Sequence, residues 1–204
     1  SKLSKEAYPD PIDLARDYAK VLRKEIKRLN ALTTDLTIQL DEPMLGDLTE
    51  AGGKPDRYHE ILTRIYGQKY RSFKEEVKLA IELLNEAIPF KGLAMHMDRW
   101  PNADSPYYGM GYERFLPELL EAKVSLLNLE YTSPGCGNPN VLVSELPYET
   151  SLGLGCVSVR SREVETPEEI VQRVKRVKIE PERLRLVPDC GFAPRMYRKY
   201  ARSV

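Results

Sequence analysis

The chain has 204 residues and a formal net charge of zero, because 31 lysines and arginines balance 31 aspartates and glutamates. This length suits one domain with a sizeable core, and the balanced charge gives no argument for a nucleic-acid partner or a membrane surface. No segment approaches the roughly 18 apolar residues of a membrane span, and the first residues lead into no signal-peptide core. Three cysteines, an odd number, argue against a secreted disulfide framework. We therefore expect a cytoplasmic protein with reduced thiols.

Helical and strand-like patterns alternate along the chain. Some segments carry apolar residues at helical spacing, and others are short runs of β-branched and aliphatic residues. In chain order the patterns predict helix 11–30, strand 35–40, an irregular connection 43–71 with a short helix near 58–66, helix 72–88, strand 92–95, helix 109–123, strand 125–130, a short helix or turn over 138–146, strand 151–159, helix 166–177, strand 183–191 and the start of a helix near Arg195. Five nearly all-apolar strands that alternate with helices imply a parallel sheet covered on both faces.

Two of these helices begin with a capping-box pattern. Ser72 and Glu75 have the required spacing, and so do Thr166 and Glu169, with Pro167 suited to the first turn. Helix 166–177 also carries four aliphatic residues that we expect to face the core: Ile170, Val171, Val174 and Val177.

Polar residues follow the predicted strands at their carboxyl ends: Asp41, His96, Glu130, Arg160 and Cys190. In parallel α/β folds, and most sharply in the (β/α)₈ barrel, chemistry lies at this end of the strands. Five strands fall short of eight, and a closed barrel typically needs about 250 residues. The pattern therefore leaves two folds open, an open sheet or part of a barrel.

Four of the polar residues form a candidate zinc site: His96, Asp98, Glu130 and Cys190. The side-chain period of a strand puts His96 and Asp98 on the same side. Imidazole, carboxylate and thiolate are the usual zinc ligands, and three of them leave a position open for a substrate. A thiol bound there would lose its proton at neutral pH and could attack a carbon electrophile. Taken singly, each residue also has an ordinary structural explanation.

Four motifs give this site a family context. They are IQLDEPML (38–45), HMD (96–98), LNLEYTSPG (127–135) and VETPEEIVQRVKRVKIEPERLRLVPDCGF (164–192). Together they resemble the catalytic barrel of the cobalamin-independent methionine synthase family, which includes short relatives and epoxyalkane–coenzyme M transferases. The resemblance implies an α/β (β/α)₈ TIM-type barrel, of which residues 1–204 carry about five C-terminal βα units. It also implies a zinc ion that activates a thiol for alkylation, with homocysteine and a methyl group in the methionine synthases.

Carried over residue by residue, the resemblance assigns roles to the strand-end residues. The zinc ligands should be His96, Glu130, Cys190 and whatever occupies the second position of the family's His-x-Cys motif. Asp41, with Glu42 beside it, matches the acidic position that holds the amino group of the thiol substrate. A carboxylate there would pair with an ammonium on physical grounds as well.

The first departure from the family is Asp98, which stands where the family normally has cysteine. Aspartate binds zinc at a similar distance through a harder oxygen, so a bound thiolate should be less nucleophilic and a harder metal could enter. The alternative is that Asp98 pairs with Arg99 or a nearby loop and the site is degenerate. Cys136, on a glycine-flanked loop, is a candidate replacement thiolate, whereas we expect Cys156 to lie in the core.

The second departure is Arg160, on a strand that in methionine synthases carries a histidine thought to serve in proton transfer. Arginine stays protonated and cannot shuttle a proton at neutral pH, but it suits a carboxylate, sulfonate or phosphate. As a catalytic and substrate-binding residue, Arg160 therefore favours a different donor or an anionic thiol. The ordinary alternative is a surface arginine beside Arg162.

Three functional hypotheses follow. The first is zinc-dependent alkyl transfer, most simply methyl transfer, to a small-molecule thiol such as homocysteine. The second is alkylation or cleavage at an anionic thiol or thioether, and the third is a non-catalytic paralogue or subunit that has lost the metal. The alkyl donor stays open among a folate, a corrinoid protein and a small electrophile.

The number of strands also predicts a partner. An incomplete barrel would expose two sheet edges and an apolar interior, which proteins in water avoid. We therefore expect the chain to be a fragment, a proteolysed product or one half of a two-chain assembly, completed by the N-terminal barrel portion or by a second chain.

Overall fold

The structure, a computed structural model, describes residues 6–33, 35–42, 73–90, 92–97, 111–159, 161 and 163–191. Within these ranges a five-stranded parallel sheet has the strand order β1-β2-β3-β4-β5. The strands are β1 (Gln39–Asp41), β2 (Ala94–Met97), β3 (Leu126–Glu130), β4 (Ser151–Val157) and β5 (Leu184–Pro188). The helices are α1 (Pro11–Leu32), α2 (Phe73–Ala87), α3 (Leu116–Leu119), α4 (Pro139–Glu145) and α5 (Pro167–Lys175), with 3₁₀ turns at Tyr112–Phe115, Pro134–Cys136 and Pro181–Arg183.

Each strand lies beside the one that precedes it in the chain. Parallel neighbours need a crossover connection, and within the described ranges the connections between β2 and β5 contain helices α3, α4 and α5. This is the repeating strand–helix arrangement of α/β proteins, and it confirms the predicted fold class.

The two faces of the sheet differ in composition. Alternate strand residues pack with the helices in the hydrophobic core, and these are Met95, Met97, Leu127, Leu129, Leu152, Leu154 and Cys156. On the opposite face, one register row holds Asp41, His96, Asn128 and Gly153 side by side. The core therefore lies between sheet and helices, and the polar row lies on the face that would be the interior of a barrel.

The helix ends show why these segments are helical. Asp10 caps α1 by accepting a hydrogen bond from the Ile12 N–H at 2.9 Å. At α5 the Thr166 hydroxyl accepts from the Glu169 N–H at 3.3 Å, and the Glu169 carboxylate accepts from the Thr166 N–H at 2.7 Å. The predicted capping box at 166–169 is therefore confirmed. The inward placement of Val171 is wrong, because its side chain is 45% exposed.

The helix predicted over 109–123 is much shorter in the structure. After the 3₁₀ turn at Tyr112–Phe115, α3 ends at Leu119. The Asn85 side chain donates to the Glu121 carbonyl at 2.9 Å and accepts from the Lys123 N–H at 2.8 Å. These bonds to α2 hold the backbone in a turn, so it cannot continue the helix.

The first strand is also shorter than the predicted 35–40 and is shifted towards Asp41. Its pairing begins where the Ile38 carbonyl accepts from the Ala94 N–H at 2.9 Å. Because β2 begins at Ala94, earlier residues of the predicted strand have no neighbour to pair with. The helix near 58–66, the Ser72 cap, the helix near Arg195 and the side chains of Asp98 and Arg160 lie outside the described residues. Among the described residues, no helix has both the length and the hydropathy needed to cross a bilayer.

Candidate metal centre

Three of the predicted ligands meet at the carboxyl ends of the strands. One ligand atom each from His96, Glu130 and Cys190 lies within 4.8 Å of the other two. His96 lies on β2, Glu130 ends β3, and Cys190 follows β5 by two residues. Parallel strands end at the same edge of a sheet, so residues far apart in the sequence converge there.

The donor set and its spacing fit zinc. A tetrahedral zinc site holds its donor atoms about 3.3–3.8 Å apart, given zinc–ligand distances of about 2.0–2.3 Å. Separations of at most 4.8 Å would therefore need to close by no more than about 1.5 Å. Glu130 has no solvent exposure, and a carboxylate buried to that degree needs compensation by a charge or by hydrogen bonds. A cation between these three groups would supply such compensation.

The orientation of the His96 ring is fixed by a backbone carbonyl. Nε2 lies 2.9 Å from the Asp189 carbonyl oxygen, which can only accept. Nε2 therefore carries the hydrogen, and Nδ1 is the nitrogen with the lone pair. A metal bound to His96 in this tautomer would use Nδ1, which lies 3.7 Å from Asp41 Oδ1.

The two acidic residues at the carboxyl end of β1, Asp41 and Glu42, have different surroundings. Asp41 is paired in register with His96 and its side chain is 69% exposed. Its Oδ1 accepts from Gln39 Nε2 at 2.8 Å. The Glu42 backbone N–H donates to the His96 carbonyl at 2.8 Å, and burial raises the pKa of the Glu42 carboxyl to about 7. Asp41 therefore presents an open carboxylate, whereas Glu42 is tied to β2.

A cleft of about 350 Å³ opens at this site. Its lining includes Gln39, Asp41, His96, Asn128, Val187 and Cys190. A larger cavity of about 800 Å³ lies at the amino ends of the strands, beside Gly92, Val124 and Thr150. Chemistry in parallel barrels lies at the carboxyl end, so the smaller cleft is the functional candidate.

Sequence reasoning missed Asn128, a buried amide in the middle of β3. Its Nδ2 donates to Gln39 Oε1 at 2.6 Å, and its buried Oδ1 has no hydrogen-bond partner among the described residues. On the neighbouring strand, a Cβ at Gly153 would lie 1.7 Å from that oxygen. A side chain at position 153 would therefore force the Asn128 amide out of its present position. An asparagine inside the otherwise apolar run LLNLE was the available signal.

Tyr112 supports Glu130 from the helix side of the sheet. Its hydroxyl oxygen accepts from the Glu130 N–H at 3.0 Å, and its ring meets Tyr131 edge-on with centroids 5.4 Å apart. Burial raises the pKa of Tyr112 well above its ordinary range. The tyrosine therefore stays a neutral partner that fixes the end of β3.

The remaining cysteines lie apart from the three-residue cluster. Cys136 is buried, with its sulfur 3.4 Å from the Ser133 hydroxyl, and among the described residues it is not part of the cluster. Cys156 lies in the core, as predicted, and burial raises the pKa of its thiol. Neither sulfur replaces the family's missing thiolate in this arrangement.

Sequentially ordered parallel strands with a three-donor cluster at their carboxyl ends define a class, an α/β barrel-type domain with a candidate metal centre. Comparison with known proteins shows which family of barrel proteins this chain resembles. The family model described as the catalytic domain of cobalamin-independent synthase matches residues 109–204. Residues 109–204 are thus similar to the catalytic domain of the cobalamin-independent methionine synthases, and the predicted resemblance to that family is confirmed.

Individual relatives agree with the family match. A methionine synthase of Saccharolobus islandicus is 29% identical over 193 residues, covering 92% of this chain and 46% of the relative. A methionine synthase of Pyrococcus horikoshii is 29% identical over 189 residues, covering 92% of this chain and 45% of the relative. The chain spans about half the length of the curated relatives it matches.

Two solved structures share the fold. One, described as a vitamin-B12-independent methionine synthase of Listeria monocytogenes, has a TM-score of 0.58 and 22% identity, covering 90% of this chain and 50% of that one. A B12-independent methionine synthase of Shewanella sp. W3-18-1 has a TM-score of 0.61 and 18% identity, covering 97% of this chain and 58% of that one. The predicted TIM-barrel fold class is thus confirmed, with this chain corresponding to about half of each structure.

Proposed function

We propose that this chain carries the metal-holding and thiol-binding part of an enzyme that transfers a methyl group to homocysteine or a related thiol. The observation that carries the proposal is the meeting of His96, Glu130 and Cys190 within 4.8 Å. The match to a cobalamin-independent synthase catalytic domain supports the reaction class. This activity belongs to methionine biosynthesis, and we keep the cytoplasm as the expected location.

The metal of this proposal is zinc, held by His96 Nδ1, a Glu130 oxygen and the Cys190 sulfur. When bound, zinc lowers the pKa of a thiol so that the thiolate is present at neutral pH. The chain itself supplies orientation, because the Asp189 carbonyl fixes the His96 ring and Tyr112 fixes the end of β3. We propose Asp98 as a fourth ligand on the basis of the sequence, since its side chain lies outside the described residues.

Asp41 is proposed to bind the amino group of the thiol substrate. Its carboxylate is exposed in the cleft and is oriented by Gln39, and a carboxylate–ammonium hydrogen bond is charge-assisted. The Shewanella relative is described in complex with selenomethionine, the selenium analogue of a methylated homocysteine. That description supports an amino-acid thiol as the acceptor.

Glu42 and Arg160 complete the proposed substrate contacts. Glu42 is a second acidic group beside Asp41, with its backbone bonded to β2. Arg160 is proposed to bind an anionic group of the alkyl donor or of the thiol, because a guanidinium suits a carboxylate, sulfonate or phosphate. It lies outside the described residues, so its role rests on the sequence.

The rest of the barrel is proposed to come from a second chain or from further residues of a longer polypeptide. Within the described residues, β1 and β5 each pair with one neighbour, and the relatives are about twice as long. Residues 1–204 would then be one part of a single methionine-synthase-like domain. Light scattering tests this, because a monodisperse, fully folded monomer of these residues alone would contradict it.

Metal content and thiol alkylation test the proposal together. We expect about one zinc per chain by elemental mass spectrometry, lost in His96→Ala and Cys190→Ser and retained in the control Cys156→Ser. Asp41→Asn should keep the zinc and raise KM for homocysteine. A sulfonated thiol in the same assay tests the anionic alternative. A folded protein with neither zinc nor alkylation would support the non-catalytic alternative instead.

A further inference from the structure

Asp189 is the buried residue that joins the strand ends at the metal centre. It lies between β5 and Cys190 and is 2% exposed. Its backbone N–H donates to the Val157 carbonyl at 3.0 Å, at the end of β4. Its backbone carbonyl accepts from His96 Nε2 on β2 at 2.9 Å. The backbone of this one residue thus bonds to the ends of β4 and β2, directly before Cys190.

The Asp189 carboxylate accepts hydrogen bonds from the two residues that directly follow β3. Oδ1 accepts from the Tyr131 N–H at 3.0 Å and from the Thr132 N–H at 3.3 Å, and Oδ2 accepts from the Thr132 hydroxyl. Tyr131 and Thr132 directly follow Glu130. The carboxylate therefore fixes the position of the Glu130 backbone relative to Cys190.

Gly155 on β4 makes this arrangement possible. A Cβ at that position would lie 2.5 Å from Asp189 Oδ1, 2.7 Å from the Leu129 carbonyl oxygen and 3.0 Å from Glu130 Cα. The absence of a side chain at Gly155 leaves the space through which the carboxylate reaches β3.

We propose that Asp189 is a positioning residue that sets the mutual distances of His96, Glu130 and Cys190 by bonding to β2, β3 and β4 at once. It is not one of the three donor residues and does not line the cleft. It acts through the His96 tautomer and through the backbone on either side of the cluster. The role of this positioning in binding zinc and a thiol rests on the proposed function. The positioning itself is inferred from the hydrogen bonds alone.

The test compares Asp189→Ala with Asp189→Asn in the full-length protein. An asparagine oxygen can still accept from both backbone amides, and its NH₂ can donate to the Thr132 hydroxyl, so Asp189→Asn should preserve the arrangement. Asp189→Ala should weaken zinc binding about 10- to 100-fold, the usual loss for residues that orient ligands. Competition with a chromophoric zinc chelator measures the affinity. Val124→Ala, which shortens a buried residue before β3 and away from the cluster, is the control for general destabilisation.

Two readouts without metal separate positioning from a general effect on folding. The chain has two histidines, so ¹⁵N NMR can follow the His96 ring. Asp189→Ala keeps the backbone carbonyl that accepts from Nε2 but removes the carboxylate bonds that hold this carbonyl in place. In this variant only, the ring should therefore change from the Nε2–H tautomer to a mixture. Amide exchange at Tyr131 and Thr132 should accelerate in that variant and stay slow in Asp189→Asn and Val124→Ala.

Each outcome decides one of the two proposals. If Asp189→Ala matches the wild type in tautomer, amide exchange and zinc affinity, or if Asp189→Asn is as impaired as Asp189→Ala, the inference is wrong. If the wild type binds no zinc, the proposed function fails, and the tautomer and exchange data still decide the inference. If Asp189→Ala does not fold, Thr132→Val replaces it, because it removes the hydroxyl bond to Oδ2 and should shift the same readouts less far.

Discussion

Replacing Gly155 by alanine should destabilise the protein severely, because the new methyl group has no space. Carbon atoms in favourable contact lie about 3.5–4.0 Å apart, whereas this Cβ would lie 2.7 Å from the Leu129 carbonyl oxygen and 3.0 Å from Glu130 Cα. Both atoms are backbone of the adjacent strand, so neither moves without distorting the sheet. Overpacking of this kind costs about 1–3 kcal/mol.

The same methyl group would also displace the Asp189 carboxylate, since Oδ1 is 2.5 Å from the Cβ position. Displacement leaves the amide of the buried Tyr131 and that of the half-buried Thr132 without this acceptor, which adds about 1–3 kcal/mol. The total of about 2–6 kcal/mol is a large share of the about 5–15 kcal/mol that stabilises a typical domain.

Urea denaturation followed by circular dichroism measures the loss. Gly191→Ala is the matched control, because among the described residues no heavy atom beyond its chain neighbours lies within 4 Å of its Cβ position. We expect the control to stay within about 0.5 kcal/mol of the wild type. If Gly155→Ala has the same denaturation midpoint as Gly191→Ala, the close approach of β4, β3 and Asp189 described above is wrong.

Four smaller changes test helix α5 and its connection to β4. Thr166→Ala removes the N-cap and should cost about 1 kcal/mol in urea denaturation. Val174→Ala, in contact with the core, should cost about 1 kcal/mol, whereas Val171→Ala, 45% exposed, should change stability by under about 0.5 kcal/mol. Burial alone would raise the pKa of Glu165, but hydrogen bonds, including that from Arg173, hold it below its ordinary value of 4.5. This carboxylate therefore stabilises the fold above about pH 4.5, and the contribution disappears as the pH falls through the folded-state pKa. Glu165→Gln should thus lose less stability than the wild type on acidification, as measured by thermal unfolding across pH.

The fold followed from sequence patterns where one local signal dominates. The capping box at Thr166 and the apolar runs of β2 to β5 depend on neighbouring residues only, so their class and approximate limits were predictable. The helix expected over 109–123 failed because Asn85, from a distant segment, takes the backbone groups of Glu121 and Lys123. The exposure of Val171 depends on how α5 lies on the sheet, which helical spacing alone does not determine.

The candidate site shows the same division. His96, Glu130 and Cys190 were predictable because each is a chemically distinctive residue at a strand end and part of a family motif. Asp189 lies inside the same motif, yet its role depends on Tyr131 and Thr132 of another strand. Long-range hydrogen bonds of this kind leave no periodic trace in a single sequence. They emerge only once the strand order is known.

We propose that residues distant in the sequence hold one metal ion at the carboxyl end of the sheet. Anomalous diffraction at the zinc absorption edge, on crystals of the full-length protein, tests it most directly. We predict one anomalous-difference peak at about 2.0–2.3 Å from donor atoms of His96, Glu130 and Cys190. A peak elsewhere, or an electron-density map in which the His96 ring and the Cys190 sulfur face different surroundings with no metal between them, would contradict it.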